Sequence, residues 1–136
     1  MSLEELKKQF FVDEDALKAR IEPVVAKALK HCRIDKNGQV LIIDPSLSGK
    51  DKVRLTLAAR AIASQLDAQI PAEVKVTDIA KYTGLPANQI RARGKDAIEE
   101  KFAESPEAGV YRAIPHKIEA FLDSISEPTK AKSKKD

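Results

Sequence analysis

The segment between positions 86 and 95 carries three basic side chains and no acidic one, so its chemistry suits an anion. Guanidinium and ammonium groups bind phosphate oxygens, which position a protein on nucleic acid without reading its sequence. Two amide side chains lie in the same segment, and such amides can form paired hydrogen bonds with the edge of adenine. The segment therefore predicts nucleic-acid contact, against the simpler alternative of a solvated polar face. Its basic residues are Arg91, Arg93 and Lys95, and its amides are Asn88 and Gln89.

The cysteine and the histidines offer no comparable set of reactive groups. Cys32 is the single cysteine, and thiol catalysis needs a histidine placed beside it. His31 directly precedes Cys32, so on a helix its ring points elsewhere, while His116 is distant in the sequence. A metal site needs several ligands at suitable spacing, and none is evident. We therefore expect no enzymatic activity, no metal and no cofactor.

Residues 86–100 have the periodicity of an amphipathic helix, which would place the basic and amide side chains on its outer side. Ile90 and Ile98 would face the core, together with Gly94, which either permits close packing or bends the helix. Ala92 is small enough for the outer side to approach a partner closely. The acidic residues of this helix come only after position 95.

A shorter helix is predicted just before this one. Thr77 suits its N-cap, because a threonine hydroxyl can accept a hydrogen bond from a backbone N–H of the first turn. Ile79 points to the core, and Gly84 ends the helix in the left-handed conformation that glycine adopts easily. Pro86 begins the next helix at a position that needs no N–H donor. The two helices would therefore meet at a tight glycine turn.

This helix pair resembles the helix-turn-helix family and, with a helix before it and two short strands after it, the winged form over about residues 50–114. The stretch Gly109-Val110-Tyr111-Arg112 is similar to the second wing strand of such domains, particularly archaeal ones. The resemblance implies a recognition helix at 86–100 that enters a major groove, and it favours DNA over RNA. The contact residues that it implies are Thr77, Ala87, Asn88, Gln89, Arg91, Ala92, Arg93, Lys95 and Arg112.

Arg112 has two interpretations within this scheme. The two wing strands are predicted at 102–104 and 109–113, joined by a turn at 105–108. Arg112 can contact phosphate from the wing, or it can pair with Glu104 across the strands. The sequence leaves both interpretations open.

The longest predicted helix spans residues 50–66 and is apolar on two sides, so we expect it to be buried between two layers. Pro115 opens a last helix with one apolar stripe. The stripe either closes the core of the chain or forms the seam of a homodimer. Its residues are Ile118, Phe121, Leu122 and Ile125.

A hairpin and an interrupted helix are predicted before the long helix. The dipeptide Asn37-Gly38 is typical of a two-residue turn in which both residues have positive φ, here between strands near 32–36 and 39–43. Residues 13–32 have helical periodicity, and Pro23 either kinks this helix or opens a second one.

The predicted fold class is mainly α with a small β component, an α+β fold of the winged helix-turn-helix type. Residues 1–49, which begin with a helix at 2–10, form an N-terminal extension of helices and a hairpin packed on the core. Residues 50–127 form the winged unit with its C-terminal helix. The lysine-rich stretch 128–136 is predicted to be a disordered basic tail.

Composition sets further limits on partners and location. The chain has 136 residues and a net charge of only +3, which by itself does not argue for nucleic acid. No run of 18 apolar residues is present, so no membrane span is expected. The acidic N-terminus lacks an apolar signal region, and a single thiol fits a reducing compartment. We therefore expect a cytoplasmic protein.

Two functions follow from the sequence. The first is a small nucleic-acid-binding protein, most simply a transcriptional regulator on DNA. The second is a winged-helix adaptor that binds a protein of the transcription or translation machinery without touching DNA, and the near-neutral charge favours it. RNA or ribosome binding is a further alternative.

Overall fold

The computed structural model describes residues 2–10 and 16–126, so the tail predicted at 128–136 lies outside the described residues. The fold is mixed, with 58% helix and 15% strand, which confirms the α+β class. The helices are α1 (Leu3–Phe10), α2 (Ala16–Ala19), α3 (Ile21–Ala28), α4 (Gly49–Leu66), α5 (Val76–Thr83), α6 (Ala87–Glu99) and α7 (Ile118–Ser126). The strands are β1 (Cys32–Ile34), β2 (Val40–Ile42), β3 (Val74–Lys75), β4 (Ala103–Glu107) and β5 (Val110–Ala113), and a 3₁₀ turn spans Pro115–Lys117.

Helix α4 lies at the centre of the fold, as its two apolar sides predict. Ser48 caps its N-terminus, where the side-chain oxygen accepts from the N–H of Asp51 at 3.1 Å. Every residue from Val53 to Ala63 is buried. Helices α5 and α6 and strand β5 pack against α4, and so do α3, β1 and β2. The prediction of a helix buried between two layers is confirmed.

The N-terminal helices break at Arg20, between α2 and α3, and Pro23 lies in the first turn of α3. Pro23 therefore accompanies a second helix instead of kinking a single one, because a first-turn proline loses no helical hydrogen bond. The start of the predicted 13–32 helix lies outside the described residues.

The hairpin turn differs from the prediction. Only Gly38 has a positive φ, of 84°, so the two-residue turn with positive φ at Asn37 is wrong. Instead the Asp35 carboxylate accepts from the N–H groups of Asn37 and Gln39, and the N–H of Gly38 bonds the Asp35 carbonyl. A side chain that bonds the turn amides favours a longer turn with glycine in the left-handed position. The strands are correspondingly shorter than predicted.

A three-stranded antiparallel sheet follows α4, in the order β3-β5-β4. Strand β3 was not predicted, because it has only two residues. Strand β4 runs to Glu107 through part of the predicted 105–108 turn, with a register shift between Glu104 and Glu107. The hairpin therefore turns later, at a glycine with φ of 77° at position 109.

A single hydrophobic core includes residues from both the N-terminal extension and the later helices. Helix α7 returns to pack on α3, and three residues of its apolar stripe are buried there, namely Ile118, Phe121 and Leu122. The interpretation that the stripe closes the chain's own core is confirmed. These side chains are therefore not available for the alternative homodimer seam.

Ion pairs reinforce the contact between α7 and the N-terminal helices. Glu119 accepts from Arg20 at 2.8 Å and from Lys27 at 2.7 Å, and Lys27 also reaches Asp123. Hydrogen bonds from Arg20 and then Lys27 lower the pKa of Glu119 to about 2.

No described helix is both long and apolar enough to cross a bilayer.

Candidate nucleic-acid interface

The turn between α5 and α6 is fixed by local hydrogen bonds. Gly84 adopts a φ of 77°, and its N–H donates to the carbonyl of Ala80 at 2.8 Å. The Thr83 hydroxyl donates to the Ile79 carbonyl and accepts from the N–H of Leu85. The predicted glycine ending of the first helix is therefore confirmed, and α6 leaves the turn in a defined direction.

Thr77 does not have its predicted role. It lies exposed inside α5, which begins one residue earlier, at Val76, and the preceding Lys75 is extended and makes no side-chain cap bond. The N–H of Val76 instead donates to the carbonyl of Gly109 at 2.9 Å. The N-cap prediction is wrong because β3 leads directly into α5, so the tip of the β4–β5 hairpin bonds the start of the helix.

Helix α6 has the predicted division into an inner and an outer side. Ile90, Gly94 and Ala97 are buried, and Ile98 is half-buried. Six of the predicted contact residues are exposed together over the first turns, and we call them the α6 surface: Ala87, Asn88, Gln89, Arg91, Ala92 and Lys95.

Gly94 permits close packing, which decides between its two interpretations. A Cβ at this position would lie 2.7–2.8 Å from ring atoms of Tyr111 in β5, a distance at which one of them must move. Tyr111 is itself buried. The absence of a side chain at position 94 therefore lets α6 lie directly against the sheet. This contact sets the distance between α6 and strand β5.

The basic side chains of α6 are not equivalent. Among the described residues, no carboxylate lies within 4.0 Å of the cationic groups of Arg91 or Lys95, and both residues are exposed. Arg93 is half-buried and pairs with Asp96 at 3.3 Å. The α6 surface thus offers two uncommitted cations, and Arg93 would have to leave Asp96 to act as a third.

Arg112, the predicted contact in the β4–β5 hairpin, is held between two carboxylates. Its guanidinium lies 2.7 Å from Glu104 and 2.8 Å from Glu73. The hydrogen bond with Glu104 is the main cause that raises the pKa of Arg112. The cross-strand pairing with Glu104 is confirmed, so the guanidinium is already occupied. Glu107 and Glu104 are exposed on the same hairpin, which makes it acidic.

Two buried arginines of α4 position this region, and the sequence did not single them out. Arg54 donates to Glu100 at 2.8 Å and lies over the ring of Phe102, 5.5 Å from its centroid. This hydrogen bond lowers the pKa of Glu100 and holds the C-terminal end of α6 against α4. In the part of the chain that the structure describes, the Nε of Arg54 has no hydrogen-bond partner.

Arg60 fixes the segment between α4 and the sheet. Its Nε donates to the carbonyl of Pro71 at 3.0 Å, and its Nη2 lies 3.3 Å from the carbonyl of Glu73. The only available sign in the sequence is that Arg54 and Arg60 interrupt a helix otherwise apolar on two sides. Their partners lie tens of residues away or on backbone atoms, which periodicity does not indicate.

His31, Asp44 and Ser126 also come together, although they are distant in the sequence. The His31 ring lies 3.0 Å from Asp44 through Nδ1 and 3.1 Å from Ser126 through Nε2. The Asp44 carboxylate can only accept, so Nδ1 carries a proton, and the Ser126 hydroxyl lies within hydrogen-bond distance of both the His31 Nε2 and the Leu122 carbonyl, the latter at 2.8 Å. The cluster ties the end of α7 to the chain after β2.

Cys32 is next to His31 in the sequence, but its thiol bonds the carbonyl of Ala28 and not the cluster. It is buried, and burial raises the pKa of its thiol to about 11. A thiol with such a pKa is protonated at neutral pH and is a poor nucleophile. Within residues 2–10 and 16–126, the structure contains no group of three or more potential metal ligands.

Comparisons with protein-family models, with curated proteins and with solved structures find no match to this chain.

Proposed function

We propose that the chain is a winged helix-turn-helix protein that binds nucleic acid, with DNA favoured over RNA, as a cytoplasmic transcriptional regulator. The observation that carries the proposal is the α6 surface. Two cations that have no ion-pair partner among the described residues and two amides are exposed there, on a helix whose opposite side is buried. This combination suits a helix that enters a major groove, with amides toward base edges and cations toward phosphates.

The order of elements supports the family assignment. The resemblance to the winged form requires a helix before the helix pair and a strand pair after it. Helix α4 and strands β4 and β5 occupy those places, and β3 adds a third strand on the other side of β5. The glycine turn between α5 and α6 supports the helix-turn-helix part of the assignment.

The proposed footprint is narrower than the nine residues named from the sequence. Arg91 and Lys95 supply phosphate contacts, Asn88 and Gln89 face the bases, and the small side chain of Ala92 leaves room for approach. Arg112 is left out because Glu73 and Glu104 already neutralise it.

A salt titration tests this proposal. The affinity of the chain for a short random duplex is measured by fluorescence anisotropy at salt concentrations from about 50 to 200 mM. The two phosphate contacts of Arg91 and Lys95 would lower the affinity roughly 12-fold over this range, since each contact contributes about −0.9 to the logarithmic slope. No binding at low salt, or binding that does not respond to salt, would contradict nucleic-acid binding.

The adaptor function is the second candidate, and the acidic β4–β5 hairpin favours it. Exposed Glu104 and Glu107 repel phosphate and would instead suit a basic surface on a protein partner. If this function holds, affinity purification after nuclease treatment recovers a protein partner, and Glu104→Lys with Glu107→Lys prevents its recovery. The same purification with Arg91→Ala would leave the partner bound.

A further inference from the structure

A second group of basic side chains, separate from the α6 surface, lies in the lysine-rich stretch 128–136. Its basic residues are Lys130, Lys132, Lys134 and Lys135, and its one acidic residue is Asp136. Ammonium groups contact phosphate oxygens without reading a base sequence. The stretch lies outside the described residues, so the structure bears on it through the place where the described chain ends, at Ser126.

The end of α7 is connected to the α5–α6 turn by a series of side-chain contacts. The Ser126 hydroxyl and the Asp44 carboxylate both lie within hydrogen-bond distance of the His31 ring. Asp44 also lines a pocket of about 330 Å³ together with Thr83, the last residue of α5. The Thr83 hydroxyl accepts from the N–H of Leu85 in the turn that leads into α6. One imidazole ring, one pocket and one turn therefore separate the end of α7 from the start of α6.

The lysine-rich stretch is long enough to cover this separation. Lys135 lies nine residues beyond Ser126, and nine residues extend to at most about 30 Å. Lys130, the first of the four lysines, can extend about half as far. The later lysines can therefore lie beside the N-terminal end of α6, where the α6 surface begins.

Two carboxylates near the end of α7 compete with nucleic acid for these lysines. Asp123 already pairs with Lys27 at 2.9 Å. Asp44 lies 3.0 Å from His31, but its side chain is 23% exposed and it keeps its charge. Each carboxylate offers one negative charge, whereas a DNA duplex carries one charge per about 1.7 Å of its axis. A duplex held on the α6 surface would therefore bind four lysines more strongly than these carboxylates do.

We propose that the lysines of residues 128–136 contact phosphates beside the N-terminal end of α6, so that the chain holds nucleic acid at two adjacent places. The inference rests on the proposed nucleic-acid binding and adds a second set of contacts to it. Because the stretch is tethered near the α6 surface, its lysines act at a high effective concentration once α6 is bound. These added contacts are independent of base sequence, while Asn88 and Gln89 face the bases.

Removing the four charges tests the contribution of this stretch. The glutamine variant carries Lys130→Gln, Lys132→Gln, Lys134→Gln and Lys135→Gln, and its duplex affinity is measured by fluorescence anisotropy over a salt series. We expect the affinity to fall about tenfold or more near 0.1 M salt, and the logarithmic slope to become shallower by up to about 3.6, since each lost contact removes about 0.9. Arginine at the same four positions keeps the charge and should leave the affinity within about twofold.

A matched control removes four positive charges from exposed positions of the described chain. It carries Lys7→Gln, Lys18→Gln, Lys30→Gln and Lys117→Gln. If the control weakens binding as much as the glutamine variant, the effect is one of net charge and the inference is wrong. If the wild-type chain and the glutamine variant bind duplex equally well, this inference is overturned while the proposed function stands. A wild-type chain that does not bind duplex overturns both.

A cross-linking experiment locates the stretch in the complex. Ser133→Cys carries a photoreactive group, while buried Cys32 stays unlabelled. We expect cross-links to the duplex, and we expect fewer of them with Arg91→Ala and Lys95→Ala, because the duplex is then held less tightly on α6. Cross-links to the chain near Asp44 or Asp123, with none to the duplex, would show that the lysines pair with their own chain. Duplex cross-links that persist unchanged without the α6 cations would contradict the placement beside α6.

Discussion

The α6 surface and the β4–β5 hairpin lie on neighbouring elements, but their basic side chains differ in whether they are paired with carboxylates. Arg91 and Lys95 are exposed and unpaired among the described residues, whereas Arg112 is enclosed by Glu73 and Glu104. All three are basic residues in the region for which we propose nucleic-acid binding. The difference shows that the type of a residue indicates its chemistry, while its partners decide whether that chemistry is available.

The strongest test of this comparison removes the free cations. Arg91→Ala with Lys95→Ala should weaken duplex binding about tenfold to hundredfold near 0.1 M salt, because two phosphate contacts are lost. Fluorescence anisotropy across a salt series measures both the affinity and its slope, which should become shallower by about 1.8.

The matched control is Lys18→Ala with Lys30→Ala, which removes the same charge from exposed positions outside the α6 surface. If the control weakens binding as much as the α6 variant, the effect is one of net charge and the assigned footprint is wrong.

The second test moves the α6 surface relative to the sheet. Gly94→Ala should destabilise the fold by about 1–3 kcal/mol, because the new Cβ collides with Tyr111. Alanine is otherwise the better helix former by about 1 kcal/mol. Denaturant unfolding measures the change.

A double-mutant cycle with Tyr111→Val separates the collision from other causes. Once the ring is absent, Gly94→Ala should cost much less than it does beside Tyr111, or even stabilise the chain. Equal costs in both backgrounds would show that the close approach of α6 and β5 is not the reason.

The third test changes the acidic hairpin. Glu107→Gln should raise duplex affinity about twofold, because an exposed negative charge that has no ion-pair partner among the described residues no longer repels phosphate. Arg112→Ala in the wild-type background should leave the affinity within about twofold, since the guanidinium is already neutralised. A large loss of affinity on Arg112→Ala would mean that the arginine leaves its carboxylates to bind DNA.

The smallest expected effect lies outside both regions, at Glu119. Its pKa is about 2 in the folded chain against an ordinary value of 4.5, so its ion pairs stabilise the fold above about pH 4.5, and this contribution is lost as the pH falls toward 2. Glu119→Gln should therefore make the free energy of unfolding fall less steeply between pH 5 and 2, without changing duplex affinity at neutral pH. An unchanged pH dependence would show that the pairs with Arg20 and Lys27 do not stabilise the fold.

Periodicity and turn chemistry predicted the parts of the fold that depend on local sequence. The apolar pattern of α4, the glycine ending at position 84 and the two sides of α6 are of this kind. The predictions that were wrong concern features that depend on residues distant in the sequence or on side-chain hydrogen bonds. The sequence indicated an N-cap at Thr77, but β3 pairs with β5 and begins the helix earlier. The hairpin turn followed the Asp35 carboxylate and not the Asn37-Gly38 dipeptide.

The candidate site was predictable to a similar extent. The exposure of Arg91 and Lys95 follows from the helical wheel, whereas the second carboxylate on Arg112 comes from Glu73, 39 positions away in the sequence. No local pattern indicates such a pair, and so the accessibility of a cation had to come from the structure.

The hydrogen bonds from Arg60 to two backbone carbonyls limit where residues can be inserted between α4 and β3. This stretch is exposed over positions 65–69 and by that measure would be a natural place for insertions or tags. Closer to β3, however, an added residue would pull Pro71 or Glu73 away from the buried guanidinium and leave its donors without acceptors. A protein engineer should therefore place a fusion near Ala68 and leave the chain from Ile70 onward at its native length.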